Sequence, residues 1–255
     1  MKIANTIRII LRKSALLYSV ASSSYHALKN LLATLNALYL GVAYFPPRRA
    51  AHPESQSQFG QDIALEQLGL LKRGGQLVEV GCNHPKANSN SYYLEKNWGY
   101  SCICIDPVNY SDSYSEIRPS TTFLNLAIDA QFRSVTLYQV EKNSGWEDQM
   151  SSLHSSAIRH GRGFESCSRV VGALPLSEVC KDLKSFDLLL LDVEGHELNV
   201  LESLGLNELR PSVLLTENNG QFFPKKQLRD YLSSFDYKLV ALIGSSDEVY
   251  VDSLS

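Results

Sequence analysis

Glycine is scarce where a dinucleotide-binding chain would need it. The turn after the apolar run Leu77–Val80 has one glycine, Gly81, followed by Cys82, Asn83, His84 and Pro85. A pyrophosphate needs the three glycines of G-x-G-x-x-G to approach the backbone, and no phosphate-cradling Gly-Lys-Ser/Thr loop is present either. Zinc and disulfide frameworks are also missing. The five cysteines, Cys82, Cys102, Cys104, Cys167 and Cys180, form no C-x-x-C pair and no Cys/His spacing. An odd count of this kind fits reduced thiols in a cytosolic protein. There is no basic excess: a net charge of -3 and a pI near 6.1 leave no electrostatic footprint for nucleic acid. Internal repeats and low-complexity tracts are absent. What remains is 255 residues, 44% of them hydrophobic, enough for one large core or one core with an appendage.

The first fifty residues differ in texture from the rest. Ile3, Ile7, Ile10, Leu11 and Ala15 recur at helical spacing, with Lys2, Arg8, Arg12 and Lys13 adding basic charge. Leu28, Leu31, Leu32, Leu35, Leu38 and Tyr39 repeat the pattern until Pro46-Pro47 stops it. As a helix, the uncharged run from Asn30 to Phe45 would span about 24 Å, short of a hydrocarbon core of roughly 30 Å. Three readings compete for residues 1–50: helices that pack or mediate homo-oligomerisation, a basic amphipathic anchor on a membrane surface, and a spanning or signal segment. The turn-rich stretch Phe45 to Ser57 reads as a linker to a main domain over 55–255. The expected location is cytoplasmic, with membrane association through residues 1–45 as the open alternative.

In the main domain, apolar runs alternate with helical patterns. Strands are expected at Gln76 to Val80, Ser101 to Ile105, Phe123 to Ile128, Val135 to Val140, Phe186 to Leu191 and Ser212 to Thr216. A closing pair is expected at Tyr237 to Ile243 and Val249 to Val251. Helices are expected within Ser57 to Leu71, Ser91 to Asn97, Glu197 to Leu204 and Lys225 to Phe235. The run FDLLLL is continuously apolar, as a central strand buried on both faces should be. Cys102 and Cys104 would share one face of their strand as small core residues. The alternation predicts an α/β fold with a doubly wound, mostly parallel sheet.

Ligands of such sheets bind outside the carboxyl ends of the strands. Gly81 would remove the Cβ that blocks a cofactor's approach, and Asn83 and Asn88 to Ser91, including Ser89 and Asn90, bring short polar groups beside it. Asp106, about 25 residues beyond Gly81, has the spacing of a ribose-holding carboxylate. One glycine without a phosphate cradle favours an adenosine cofactor lacking pyrophosphate, such as S-adenosylmethionine. Asp192-Val193-Glu194-Gly195-His196-Glu197 follows the central strand and concentrates carboxylates and an imidazole there. His196 has a pKa suited to general-base chemistry, and Glu194 would need its own raised to match. Asp192 and Glu194 could instead cap the next helix, or bind a divalent ion with Glu217. His154, after Met150-Ser-Ser-Leu, is a further candidate for substrate contact.

These stretches resemble the FkbM-type S-adenosylmethionine-dependent methyltransferases. The matching pieces are SQFGQD (Ser57 to Asp62), VEVGCN, SNSYYLEKNWGY, CIDP, SSL, LLLLDVEGHE and TENN, in the family's order from Ser57 to Asn219. The resemblance implies a seven-stranded class I methyltransferase fold acting mostly on hydroxyl oxygens of sugars, polyketides or related small molecules. It implies that Glu79, Gly81 and Asn83 line the methionine end of the cofactor and that Asp106 holds the ribose. Asn125 to Ala127 would lie near the adenine, with Asp192 and Glu194 facing the transferring methyl. His84-Pro85 departs from the family's usual Asp-Gly, and Pro85 removes an amide, so the loop must differ there. The alternative is a non-catalytic domain on the same fold serving in binding or membrane-associated assembly; a nicotinamide dehydrogenase is disfavoured by the missing glycines.

Overall fold

A computed structural model describes residues 15–47, 53–140, 151–153, 166–183 and 186–254. The helical pattern expected over Met1 to Lys13, part of the expected linker and His154 lie outside the described residues. The main sheet has eight strands, in the order β1-β10-β11-β9-β8-β2-β3-β4. Their ranges are β1 Ala43–Phe45, β2 Gln76–Val80, β3 Ser101–Ile105, β4 Thr122–Leu124, β8 Leu188–Leu191, β9 Val213–Glu217, β10 Tyr237–Ile243 and β11 Asp247–Asp252. All neighbours are parallel except β11, which runs antiparallel to both β10 and β9. The seven strands from β4 to β10 form the α/β sheet that the sequence implies. β1 extends it, because Phe45 pairs with Ile243 rather than starting a linker.

Alternation along the strands builds two cores, one on each face. Val78, Val80, Ile105, Leu189, Leu191 and Leu214 face helices α5 (Leu176–Cys180), α6 (Glu197–Leu204) and α7 (Lys225–Ser234), meeting Val200, Leu201, Leu228 and Leu232. Leu77, Cys102, Cys104, Leu188, Leu190 and Leu215 face α2 (Gln61–Gln67) and α3 (Tyr92–Trp98), meeting Leu65, Tyr93 and Leu94. Cys102 and Cys104 are thus buried on one side, as their spacing predicted.

Three elements differ from expectation. The strand expected over Phe123 to Ile128 is broken at Asn125, and β5 (Ala127–Ile128) leaves for a second sheet of order β5-β7-β6. That sheet pairs β6 (Arg133–Val140) with β7 (Ser166–Leu174), a strand the hydrophobic pattern did not suggest, since Cys167 to Val170 are exposed. The short helix α4 (Ser111–Ile117) follows β3 and packs the side chain of Tyr114 on Phe123 at 4.4 Å. Helix α1 (Ala15–Leu40) precedes β1 and contacts β10.

Candidate active site

Register along the sheet assembles the site. Val80 pairs with Ile105 on one side and Leu191 on the other, so the next residues, Asp106, Gly81 and Asp192, fall side by side. Leu191 pairs with Thr216, which brings Glu217 next, and Glu217 pairs with Asp247 at the start of β11. Five adjacent strands therefore place at this edge a row of four carboxylates interrupted by a glycine, four strands ending there and β11 beginning. The row lies at the carboxyl edge, where the order reverses around β2 and open α/β sheets bind their ligands.

A cavity of about 220 Å³ opens over this edge. Glu79, Gly81, Asn83 and Asn90 line one part of it, and Asp106 with Leu126, Ala127 and Ile128 another. Asp192, Glu194 and His196 complete the residues anticipated from sequence. Ser89 and Asn125 do not line it. The Ser89 hydroxyl accepts the amide of Tyr92 at 3.2 Å at the start of α3, and the Asn125 amide group donates to the carbonyls of Asp106 and Pro107, both at 3.0 Å. The apolar wall thus begins one residue later than Asn125.

Asp106 is 5% exposed and is oriented by two main-chain amides. Its Oδ2 accepts from Asn83 N and its Oδ1 from Val108 N, each at 2.8 Å. The His84-Pro85 departure forms an ordered turn outside the cavity lining. His84 N donates to Asn83 Oδ1 at 2.7 Å, and His84 Nδ1 accepts the amides of Lys86 and Ala87 at 3.1 and 3.0 Å. Glu79, on β2, is 3% exposed and accepts from Ser91 Oγ, which itself accepts from Arg118 Nη1 at 2.9 Å. Burial holds the Glu79 carboxyl well above the usual carboxylate range.

The turn after β8 is unusual in its backbone. Glu194 has a φ of 51° and Gly195 one of 100°; a Cβ on Gly195 would lie 2.3 Å from the ring of Phe222. A left-handed conformation costs a non-glycine residue about 1 kcal/mol, and such outliers concentrate at functional sites. Glu197, rather than the expected Asp192 or Glu194, ties this turn down: its Oε1 accepts the amides of Gly195 at 3.1 Å and Val193 at 3.3 Å. Ser152 Oγ donates to the Glu194 carbonyl at 2.8 Å, which holds Ser151 to Leu153 along the cavity. His196 turns toward β5, with Nε2 3.7 Å from Oδ2 of Asp129, a carboxylate also held by Arg133.

Asp192, Glu194 and Glu217 can each bring one oxygen within 4.8 Å of the others, a spacing a divalent cation would also accept. Burial lifts Asp192 to about 6. Glu197 rises to about 7, chiefly through burial. Burial, then the charges of Asp192 and Glu197, lift Glu194 to about 8; burial and Asp192 do the same for Asp247. Glu217 is pushed well up by burial and then by the charges of Asp192 and Glu194.

These shifts have a measurable sign. Between about pH 4.5 and 8 the folded chain holds protons that the unfolded chain has released, so this contribution to stability is full below that window and lost as pH rises through it. The unfolding midpoint of the ligand-free protein is expected to fall from about pH 5 to about pH 8, and Glu194→Gln should flatten that fall. Calorimetric scans of both proteins across the range check this; parallel profiles would show that Glu194 is not proton-loaded.

Several site residues were not anticipated individually. Gln58 lines the cavity from the loop before α2. That loop is anchored on Asp62, fully buried, which accepts Ser57 Oγ at 2.6 Å and Ser55 Oγ at 2.8 Å. Gln61 Nε2 reaches Asp247 Oδ2 at 2.9 Å. The stretch Ser55 to Asp62 carried this signal, since two serines shortly ahead of a carboxylate are how a loop is tied down by Ser-Asp hydrogen bonds.

Residues 79–239 match the family described as the methyltransferase FkbM domain. Among solved structures, that of a putative ribosomal RNA methyltransferase from Plasmodium falciparum is similar, with 14% identity and a TM-score of 0.38, covering 78% of this chain and 97% of that one. No curated protein matches the chain. The family match spans well over half of the sequence and carries the strand ends, Asp106 and the Asp192 to Glu197 turn, and the chain belongs to the FkbM family of S-adenosylmethionine-dependent methyltransferases.

Proposed function

We propose that the protein methylates a hydroxyl oxygen of a small molecule or glycan, with Glu194 as the general base. The observation that carries this reading is the charge of the cavity. Glu79, Asp106, Asp192 and Glu194 all line it, and none of its described lining residues is Lys or Arg. Such a cavity repels a pyrophosphate and suits a cofactor bearing a sulfonium and an ammonium group. Asn90 fits the same cofactor, because its Oδ1 is buried without a hydrogen-bond partner among the described residues and can accept from an ammonium. When bound, the cofactor supplies an electrophilic methyl group.

The chain's own residues do the rest. Asp106, already oriented by two amides, accepts the ribose hydroxyls, and Leu126, Ala127, Ile128 and Leu153 pack the adenine. Methyl transfer depends chiefly on alignment, so holding the acceptor hydroxyl in line is the larger part of catalysis. Glu194 accepts the hydroxyl proton. Burial and the neighbouring acids hold its carboxyl at about 8, and a neighbouring positive charge draws it down toward neutrality, where a base works best. His196, held against Asp129, supports the apolar wall instead of serving as the base.

The test is a mass-spectrometric search of cell extract, incubated with protein and S-adenosylmethionine, for a compound heavier by one methyl group. Fragmentation should locate the methyl on oxygen. With that acceptor in hand, Glu194→Gln should erase the acidic limb of the pH–rate profile and His196→Ala should retain it. A methyl found on nitrogen or carbon would overturn the hydroxyl assignment. Failure to bind S-adenosylhomocysteine would return the fold to a non-catalytic binding role.

A further inference from the structure

Helix α1 packs its small residues and displays its large ones. Ala33 and Ala37 are 8% and 1% exposed, whereas Leu28, Leu31, Leu32, Leu35 and Leu38 are exposed by 53 to 71% and Tyr39 by 89%. At helical spacing these side chains form one stripe about 120° wide, on the face opposite the two alanines. Seven of the ten large hydrophobic side chains exposed among the described residues belong to this helix. A contiguous apolar stripe of this size marks a surface that is covered in use.

Charge identifies the covering. The first 53 residues hold seven Lys and Arg and no Asp or Glu, so +7 here leaves -10 on the rest of a chain whose net charge is -3. Lys29 continues this bias within the helix, beside the stripe. A second copy of the same helix would bring like charges together. An anionic lipid surface offers both what the leucines need and what the cations need. Asn30, Thr34 and Asn36 break up the apolar sequence of the helix, and no helix of the described residues is long and apolar enough to cross a membrane, which leaves an orientation in the plane of the interface.

The position of the helix gives the docking a consequence. Lys29, Leu32, Ala33 and Asn36 share a cavity with Gly244 and Asp247, at the same sheet edge that bears Glu217 and Asp192. We propose that α1 seats the protein on an anionic lipid surface, with the carboxyl edge of the sheet beside the headgroups. The inference rests on the helix and its charge, independently of which atom receives the methyl.

Sedimentation of the full chain with vesicles tests it. Vesicles of phosphatidylcholine mixed with phosphatidylglycerol should bind the protein, vesicles of phosphatidylcholine alone should bind it weakly, and added salt should weaken binding. The triple variant Leu31→Gln, Leu35→Gln and Leu38→Gln should lose at least about tenfold in partition coefficient. Its unfolding midpoint and S-adenosylhomocysteine affinity should be unchanged, because these side chains face away from the domain. Absence of binding to the phosphatidylglycerol vesicles, or equal binding by the variant, would overturn the proposal. So would a stable dimer in ultracentrifugation that the triple variant converts to monomer, which would assign the stripe to a second copy.

Discussion

Asp106→Ala is expected to lower the affinity for S-adenosylhomocysteine by about a hundredfold or more, read by titration calorimetry. A hydrogen bond to a charged acceptor is worth about 1.5–3 kcal/mol, and the ribose offers two hydroxyls. The carboxylate also joins the Asn83 and Val108 amides, so its removal loosens both loops at once. Asp106→Asn separates the two contributions. The amide keeps one acceptor oxygen, so the variant should retain an intermediate affinity while surrendering either the Asn83 or the Val108 contact. S-adenosylhomocysteine is the appropriate probe because it lacks the sulfonium charge, which leaves the acid cluster of Asp192, Glu194 and Glu217 a minor contributor to the measured change. An affinity unaltered in Asp106→Ala, with the fold intact by circular dichroism, would remove the ribose assignment.

Some of this architecture is readable in the chain because buried parallel strands write themselves as apolar runs. LVEV, CICI and LLLL are covered on both faces, and the residues that follow them, Gly81, Asp106 and Asp192, mark the carboxyl edge without further information. Asp247 could not be recognised in the same way. It enters the acid row only through the antiparallel register of β11 against β9, which brings together positions thirty residues apart in sequence. Asn125 misled for a local reason. It interrupts an otherwise continuous apolar run because its side chain bonds the carbonyls of Asp106 and Pro107, and the chain then changes sheets. Strand β7 escaped because its ladder with β6 is satisfied by backbone bonds while Cys167 to Val170 face solvent, so no burial pattern marks it. Glu197 was read as an opening helical residue, yet it is the acid that braces the Glu194 turn. Propensity and periodicity report burial and spacing, not which of several adjacent carboxylates turns back on the main chain.

Gly81 shows the same distinction between a position and its reason, and it carries the second large effect. The sequence suggests that a Cβ here would obstruct a cofactor. In the structure the obstruction is nearer: an added Cβ would stand 1.7 Å from the carbonyl oxygen of Asp192. The two strand exits close on each other here, with Gly81 N bonded to Ile105 O at 2.9 Å and Asp192 N to Val80 O at 3.0 Å. The two nearest atoms are both Asp192 backbone, so no flexible side chain can give way to relieve the overlap. Gly81 also has a φ of 83°, which a residue with a Cβ adopts only at a cost of about 1–2 kcal/mol. Overpacking adds roughly 1–3 kcal/mol, so Gly81→Ala is expected to destabilise the protein by about 3 kcal/mol or more. For a chain of this size that lowers the unfolding midpoint by about 6–12 °C. Gly172→Ala is the matched control. Its Cβ would meet nothing within 4 Å, so its midpoint should stay near that of the parent protein. Relief of the overlap requires β2 and β8 to part at their carboxyl ends, and this also separates Asp106 from Asp192. The surviving folded fraction of Gly81→Ala should therefore bind S-adenosylhomocysteine more weakly. If its stability matches that of Gly172→Ala, the strand ends are not packed as tightly as the Gly81–Asp192 contact requires, and the row of carboxylates built on that contact loses its geometric basis.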